Sequence, residues 1–358
     1  MKNKNVFLPS YSIGEDVYKE VPALTLQYGK KVVFIGGKTA LEKASDLVRK
    51  ELEKEKIEIL NTLWYGGEAA FVNSDKLKSE KAVQEADVVF VFGGGKAMDT
   101  CKVLTGQIGK PLFTFPTIAA TCAAVTAVCA IYKVNGEFDS LYTRPRPAEH
   151  TFINTKIIAE APEKYLWAGI GDTLAKAYEP EFSARGKELD YYNSLGITLS
   201  KLCSEPLLKY GYRALEDCKN NESSYELTET VLSIIINTGI VSNHLINDYN
   251  SCVAHAMCYG FTVLPKVEHN HLHGEIVAYG VLVQTILDNN IGELKKLLKF
   301  YNEVKLPISY KAFGVEWNEM LQVFEKAYSV NDVRVAAIDV TIQKLKEAVI
   351  NLENFKIQ

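Results

Sequence analysis

Three segments in the second half of this 358-residue chain carry side chains with ligand chemistry. Asp172 lies in Trp167-Ala-Gly-Ile-Gly-Asp-Thr-Leu-Ala-Lys-Ala-Tyr178, a largely apolar helical pattern. A carboxylate there is costly unless it is paired, hydrogen-bonded or bound to a metal. Alone, it reads as an exposed Asp bonding Lys176 one turn on. His255 lies in mid-helix in Asn250-Ser-Cys-Val-Ala-His-Ala-Met-Cys-Tyr-Gly260 and, alone, reads as a core histidine. The third segment, Glu268-His-Asn-His-Leu-His-Gly-Glu-Ile-Val-Ala278, alternates three histidines ahead of Gly274-Glu275. It reads as a polar loop, or as a loop from which one imidazole faces inward as a ligand. Taken together, one carboxylate and two imidazoles from separate segments suit a divalent ion, Zn²⁺ with an open position or Fe²⁺.

A second concentration of chemistry lies upstream. Val88 to Phe92 is an unbroken apolar run, as in a strand buried on both faces. Gly93, Gly94 and Gly95 follow, and Lys96 to Thr105 reads as a helix. Strand, glycine turn and helix N-terminus make an anion site from free N–H groups and the positive end of the helix dipole. A dinucleotide pyrophosphate fits it; a plain glycine turn is the simpler alternative. The run is no Walker A loop, because Ala97 follows Lys96, nor the G-x-G-x-x-G fingerprint, whose third glycine is replaced by Met98.

The order of these motifs is informative. Gly93-Gly-Gly-Lys-x-x-Asp99, Pro116-Thr-x-x-x-Thr121, Gly171-Asp-Thr-Leu-Ala-Lys176, Ala254-His-Ala-x-x-x-Gly260 and His273-Gly-Glu-x-Val-Ala-x-Gly280 occur in this sequence. The chain thereby resembles the iron-containing, or metal-dependent, alcohol dehydrogenases over nearly its whole length, and their glycerol dehydrogenase-like group in particular. The resemblance implies an α/β N-terminal domain with a Rossmann-like parallel sheet and an all-α C-terminal domain. It implies that Asp172, His255 and His273 bind the metal and serve catalysis. Gly93, Gly94, Gly95, Lys96 and Asp99 would bind NAD or NADP, with Thr117, Thr121 and Tyr132 on the nicotinamide side. His269 and His271 are candidates for proton exchange with water. A homo-oligomer is expected.

Three departures from the pattern bear on specificity. Glycerol dehydrogenases of the family generally carry an Asp before a Lys where this chain has Gly37 and Lys38. Without a carboxylate to repel a 2′-phosphate, and with Lys38 and Thr39 at hand, NADP(H) is as open as NAD(H). Thr121-Cys122-Ala123-Ala124 replaces Thr-Asp-Ala-Pro, whose Asp is expected to help hold the polyol. Cys122 therefore marks the substrate position, and its region is similar to sibling hydroxycarboxylate dehydrogenases, which reduce 2-oxo acids. Cys258 stands where a further histidine is frequent in the group. The expected reaction is hydride transfer between a nicotinamide cofactor and a small polyol such as glycerol, with a 2-hydroxy acid as the alternative. A dehydroquinate synthase-like lyase would use Glu at Asp172 and a basic cluster for its phosphate. A non-catalytic dinucleotide-binding protein would not need three separated metal-ligand positions.

The elements that position these residues follow from periodicity. Lys31 to Gly37, Ile57 to Leu63, Leu112 to Phe115 and Thr151 to Thr155 read as further strands, and Ala40 to Glu55 and Ser74 to Glu85 as helices. That alternation predicts a parallel, doubly wound sheet. Asn135-Gly136 predicts a hairpin between Ala130–Lys133 and Phe138–Tyr142. After residue 160 the pattern is helical: Glu163 to Glu179, Thr228 to His244, Asn250 to Tyr259, Gly274 to Leu287, Ile291 to Phe300, Val315 to Tyr328 and Val335 to Phe355. Domains of 1–160 and 161–358 are expected. The net charge of −4 offers no basic footprint for nucleic acid. Seven cysteines without a C-x-x-C pair, and no apolar N-terminal run, point to a reducing cytoplasm. The uncharged stretch from Pro111 to Tyr132 contains Pro116 and reads as strand plus loop, so no membrane span is expected.

Overall fold

A computed structural model describes residues 6–134 and 136–355. The chain forms two compact units, one of residues 1–163 with 216–231, the other of 164–215 with 232–358.

The first unit is built on β1 (Tyr11–Ile13), β2 (Lys31–Gly36), β3 (Glu58–Trp64), β4 (Val88–Gly93), β5 (Leu112–Pro116), β6 (Val128–Tyr132), β7 (Phe138–Thr143) and β8 (His150–Ile153). Six of them form one parallel sheet in the order β1-β8-β5-β4-β2-β3. Parallel strands are covered on both faces, which is why Val32–Ile35 and Val88–Phe92 are apolar without alternation and fully buried. Phe90, Phe92, Phe113, Phe115 and Phe152 stack across β4, β5 and β8 with ring centroids 4.6–5.7 Å apart. Each buried ring contributes roughly 1.5–3 kcal/mol. The register sets Gly36 beside Phe92 and Gly93 beside Pro116, so the glycine-bearing strand ends share one rim. Ligands of doubly wound sheets bind at that rim.

The expected strands and their parallel pairing are present, and three details differ. β1 carries no apolar run and is defined by its partner: Tyr11, Ser12 and Ile13 pair with Thr151, Phe152 and Ile153, and His150 bonds Ser10 and Ser12. The helix expected over Ser74 to Glu85 is two, Phe71–Lys78 and Lys81–Glu85, with a break at Ser79, whose hydroxyl turns back to Asp75 O. β6 and β7 pair antiparallel as the hairpin required; its turn residue Asn135 lies outside the described residues. Residues 216–231 pack with this unit through Cys218 Sγ on the carbonyls of Ala159 and Ala161, both 3.4 Å, and Lys156 Nζ on Asn221 O at 2.7 Å.

The second unit is helical, with no strand among its described residues. Its longest helix, Glu163–Ala184, runs 22 residues and continues through Pro180. Two placements differ from the periodicity. His255 is not in mid-helix: the chain turns at Asn247–Asn250, extends through Ser251, and only then enters the helix Val253–Phe261. The histidine-rich segment is not a loop but a short helix, Pro265–Asn270, followed by His273–Leu287. Both metal-ligand histidines of the expectation therefore stand in the first turn of a helix. Thr228 to His244 is interrupted by a π-helical turn at Ser233–Asn237. The last two helices begin later than expected, at Met320 and Ile342. Among the described residues no helix is long and apolar enough to cross a membrane.

Candidate metal and cofactor sites

The second unit brings Asp172, His255 and His273 together from three helices. Glycines make this possible. A Cβ on Gly274 would stand 1.9 Å from Ala168 O, and one on Gly171 would stand 2.3 Å from Gly274 O. The helices Glu163–Ala184 and His273–Leu287 thus touch backbone to backbone, at residues adjacent to Asp172 and His273. Gly280 does the same against Ala254 O, at 2.3 Å, next to His255. Any side chain at these positions would hold the ligands apart.

Asp172 Oδ1 lies 3.6 Å from His255 Nε2 and 3.6 Å from His273 Nε2, and the three ligand atoms all fall within 4.8 Å of one another. Metal–ligand bonds of about 2.0–2.2 Å to nitrogen and oxygen in a tetrahedral site place ligand atoms about 3.3–3.6 Å apart, the separation found for both Asp172 pairs. The donor set, two imidazole nitrogens and a carboxylate oxygen, fits Zn²⁺ or Fe²⁺. The electrostatics fit a cation as well. Burial alone would raise the Asp172 carboxyl, but the neighbouring imidazoles of His255 and His273 and the charge of Lys176 hold it below the usual range. Burial alone would lower His255, yet Glu179 and Asp172 lift it to about 10. His273 is held low, by burial first. Two carboxylates around His255 thus favour positive charge at this spot. Lys176, the alternative partner for Asp172, donates its ammonium to Asn250 instead.

The remaining residues of the histidine segment are engaged elsewhere. His269 is exposed and bonds Pro265 O at 2.6 Å. His271 bonds Glu275 Oε1 at 2.9 Å, while Glu275 also accepts the Leu272 N–H. Cys258 Sγ lies 3.4 Å from His273 Nδ1, and burial pushes its thiol up, so it stays protonated. Sequence reasoning missed Glu179. It is fully buried, seven residues after Asp172 and so two turns along the same helix face, which is the signal that could have found it.

In the first unit, the expected cofactor residues gather on the sheet rim. Gly93 has φ +147°, and a Cβ on Gly94 would stand 2.6 Å from Ile118 Cδ1. The helix Gly95–Ile108 starts without a side-chain cap, which leaves its first N–H groups for an anion. Gly37 starts the helix Lys38–Lys54 and donates its N–H to Phe92 O at 3.2 Å, beside Gly93. Thr117 donates its N–H to Gly93 O at 3.1 Å, and Thr121 Oγ1 lies against Gly95. Lys96 pairs with Glu68 at 2.6 Å and sits 6.0 Å over the Tyr132 ring; Lys38 sits 5.4 Å over Trp64. Asp99 turns inward. Its carboxylate meets the buried Lys102 ammonium at 2.7 Å and the Ala130 N–H at 3.1 Å, so it anchors the hairpin that carries Tyr132. Lys102 also donates to Val128 O at 2.6 Å and Thr126 Oγ1 at 3.1 Å. Cys122 is half-buried, the other six cysteines are buried, and none of the seven is in a disulfide.

Comparison with known proteins adds a second line of evidence. Residues 9–153 match the family model of the iron-containing alcohol dehydrogenases. A glycerol dehydrogenase of Thermotoga maritima is 33% identical over 281 residues, 76% of this chain and 76% of that protein. Hydroxycarboxylate dehydrogenase A of Escherichia coli is 33% identical over 278 residues, again 76% of each chain. Among solved structures, glycerol dehydrogenase of Schizosaccharomyces pombe has the same fold, with a TM-score of 0.85 at 24% identity, over 98% of this chain and 91% of that one.

Proposed function

Because this chain belongs to the glycerol dehydrogenase-like group of the iron-containing alcohol dehydrogenase family, we propose that it interconverts the hydroxyl of a small polyol such as glycerol with the corresponding carbonyl. It is a metal-dependent, NAD(P)-linked oxidoreductase of the glycerol and hydroxy-acid dehydrogenase family. The observation that carries the proposal is the convergence of Asp172 Oδ1 with the Nε2 atoms of His255 and His273. These three residues would hold Zn²⁺ or Fe²⁺. When bound, the ion supplies Lewis-acid polarisation of the substrate C–O group, and the nicotinamide gives or takes the hydride.

The chain's own residues do the rest. Asp172 stays ionised through its imidazole neighbours and supplies the negative charge of the cluster. His255 is fixed by Glu179, whereas His273 is the most exposed of the three. Gly93, Gly94 and Gly95 let the dinucleotide approach the backbone, and the helix beginning at Gly95 offers N–H groups to the pyrophosphate. Thr117, Thr121 and Tyr132 orient the nicotinamide. Gly37, Lys38 and Thr39 receive the adenosine ribose, with room and positive charge for a 2′-phosphate.

A second reading, a 2-hydroxy acid as substrate, is favoured by Cys122. A neutral thiol at a position where glycerol dehydrogenases carry Asp removes a repulsive charge from the path of a carboxylate substrate. The deciding assay is a panel of glycerol, 1,2-propanediol, 2-oxoglutarate and oxaloacetate with NAD(H) and NADP(H), before and after treatment with a chelator. Turnover of glycerol that disappears with the metal supports the polyol reading. Preference for the oxo acids replaces it with the second reading, and turnover unaffected by metal removal rejects both.

A further inference from the structure

Glu179 makes contacts that packing alone does not require. Its side chain is fully buried, and both carboxylate oxygens are used. Oε2 lies 2.5 Å from His255 Nδ1, while Oε1 accepts the backbone N–H of Cys252 at 2.7 Å and of His255 at 2.8 Å. Cys252 is the N-cap of the helix Val253–Phe261 and has no capping side chain of its own. One carboxylate therefore caps the helix that carries His255 and also grips that histidine's ring. Three hydrogen bonds to its two oxygens offset the desolvation of a carboxyl group in so dry a position. The other ligand histidine is held differently. His273 Nδ1 faces the neutral thiol of Cys258 at 3.4 Å.

On the metal-site reading above, we infer that Glu179 is a positioning residue which sets the metal affinity of the cluster through His255. It holds the Nδ1–H of His255 and so turns the Nε2 lone pair towards Asp172 and the ion. Carboxylates that accept the second N–H of a metal-ligating histidine raise its basicity and fix its tautomer; their loss typically weakens metal binding about 10–100-fold. The two imidazoles are thereby unequal: His255 is the fixed, basic ligand, and His273 the one held by a neutral partner. Glu179 and Asp172 sit on one helix, so ligand and orienting group move as one body.

The substitution that separates orientation from capping is Glu179→Gln. The amide oxygen still accepts the Cys252 and His255 N–H groups, so the helix start is kept. Its NH₂ then faces Nδ1 as a donor, which drives the ring proton to Nε2, the wrong nitrogen for the metal. The purified full-length chain, stripped of metal, is titrated with Zn²⁺ against a chromophoric chelator, and thermal unfolding is followed without metal. The expected result is a wild-type chain that takes up one zinc ion. The variant unfolds close to the wild type yet binds zinc about 10–100-fold more weakly. A Gln variant that binds zinc as tightly as the wild type overturns the role of Glu179 and leaves the metal site standing. A wild type that takes up neither Zn²⁺ nor, titrated anaerobically in the same way, Fe²⁺ overturns both. A readout that needs no variant is ¹⁵N-histidine NMR of the zinc-loaded wild type: His255 is expected protonated at Nδ1 and ligated at Nε2. Ligation through Nδ1 overturns the inference even if the variant fails to fold.

Discussion

Replacing Gly274 by Ala should damage the metal cluster without touching a ligand. An alanine Cβ at 274 would stand 1.9 Å from Ala168 O and 2.7 Å from Ala168 C, where ordinary contact begins near 3.4 Å. A methyl on the backbone has no rotamer by which to escape, so the helices Glu163–Ala184 and His273–Leu287 must separate by about 1.5 Å locally. Asp172 is on the first and His273 on the second, 3.6 Å apart between Oδ1 and Nε2. Opening by that amount puts these two atoms about 5 Å apart, too far to share an ion bonded at about 2.0–2.2 Å to each. Overpacking of this kind costs about 1–3 kcal/mol, at roughly 2–4 °C in Tm per kcal/mol for a unit of this size. The assay pairs thermal unfolding of the metal-free chain with Zn²⁺ titration. The reasoning is refuted by a Gly274→Ala chain that melts with the wild type and binds zinc equally well.

Further substitutions probe the cofactor unit. Gly37 has room for a side chain, its nearest neighbours to an added Cβ being 3.8 and 3.9 Å away, so Gly37→Asp should fold normally. It should shift the ratio of kcat/KM towards NAD(H) by repelling a 2′-phosphate; an unchanged ratio would remove Gly37 from cofactor selection. Lys102→Met leaves the Asp99 carboxylate buried beside a thioether and should cost about 3–5 kcal/mol, read as a lowered denaturation midpoint. It should also raise the KM for cofactor through the loosened hairpin, and an unaltered midpoint would show that the buried pair contributes nothing. Cys122→Asp should move preference from oxo acids towards glycerol in the substrate panel, and no movement in either direction would free that position from any part in specificity.

The sheet was legible because burial on both faces leaves a one-dimensional trace. Val88–Phe92 and Val32–Ile35 are apolar without a polar face, as a covered parallel strand demands. β1 left no such trace: at three residues, with Ser12 at its centre, it exists only through its pairing with β8. The identities of the three clustered ligands could be proposed from the motifs, but their local setting could not. His255 and His273 begin helices whose N-caps are Cys252 and Leu272, residue types that signal no helix start, so periodicity ran the first helix too early and read a loop before the second. Glu179 escaped because a helical Glu next to Pro180 looks like a solvated residue until its burial is seen. Residues 216–231 carry ordinary helical periodicity, and nothing in it says which of the two units they join.

The state of the seven cysteines has a practical consequence. In the folded chain six thiols are enclosed and only Cys122 is partly open, whereas an unfolded chain offers all seven to reagent. A bulky maleimide dye applied briefly at neutral pH would therefore mark each folded molecule at Cys122 alone and each unfolded one up to seven times. The number of dyes per chain becomes a gauge of how much of a preparation is native, readable by mass spectrometry without knowledge of the substrate. The same tag, seated on the loop after Thr121, would report by its fluorescence when a dinucleotide or an oxo acid arrives nearby.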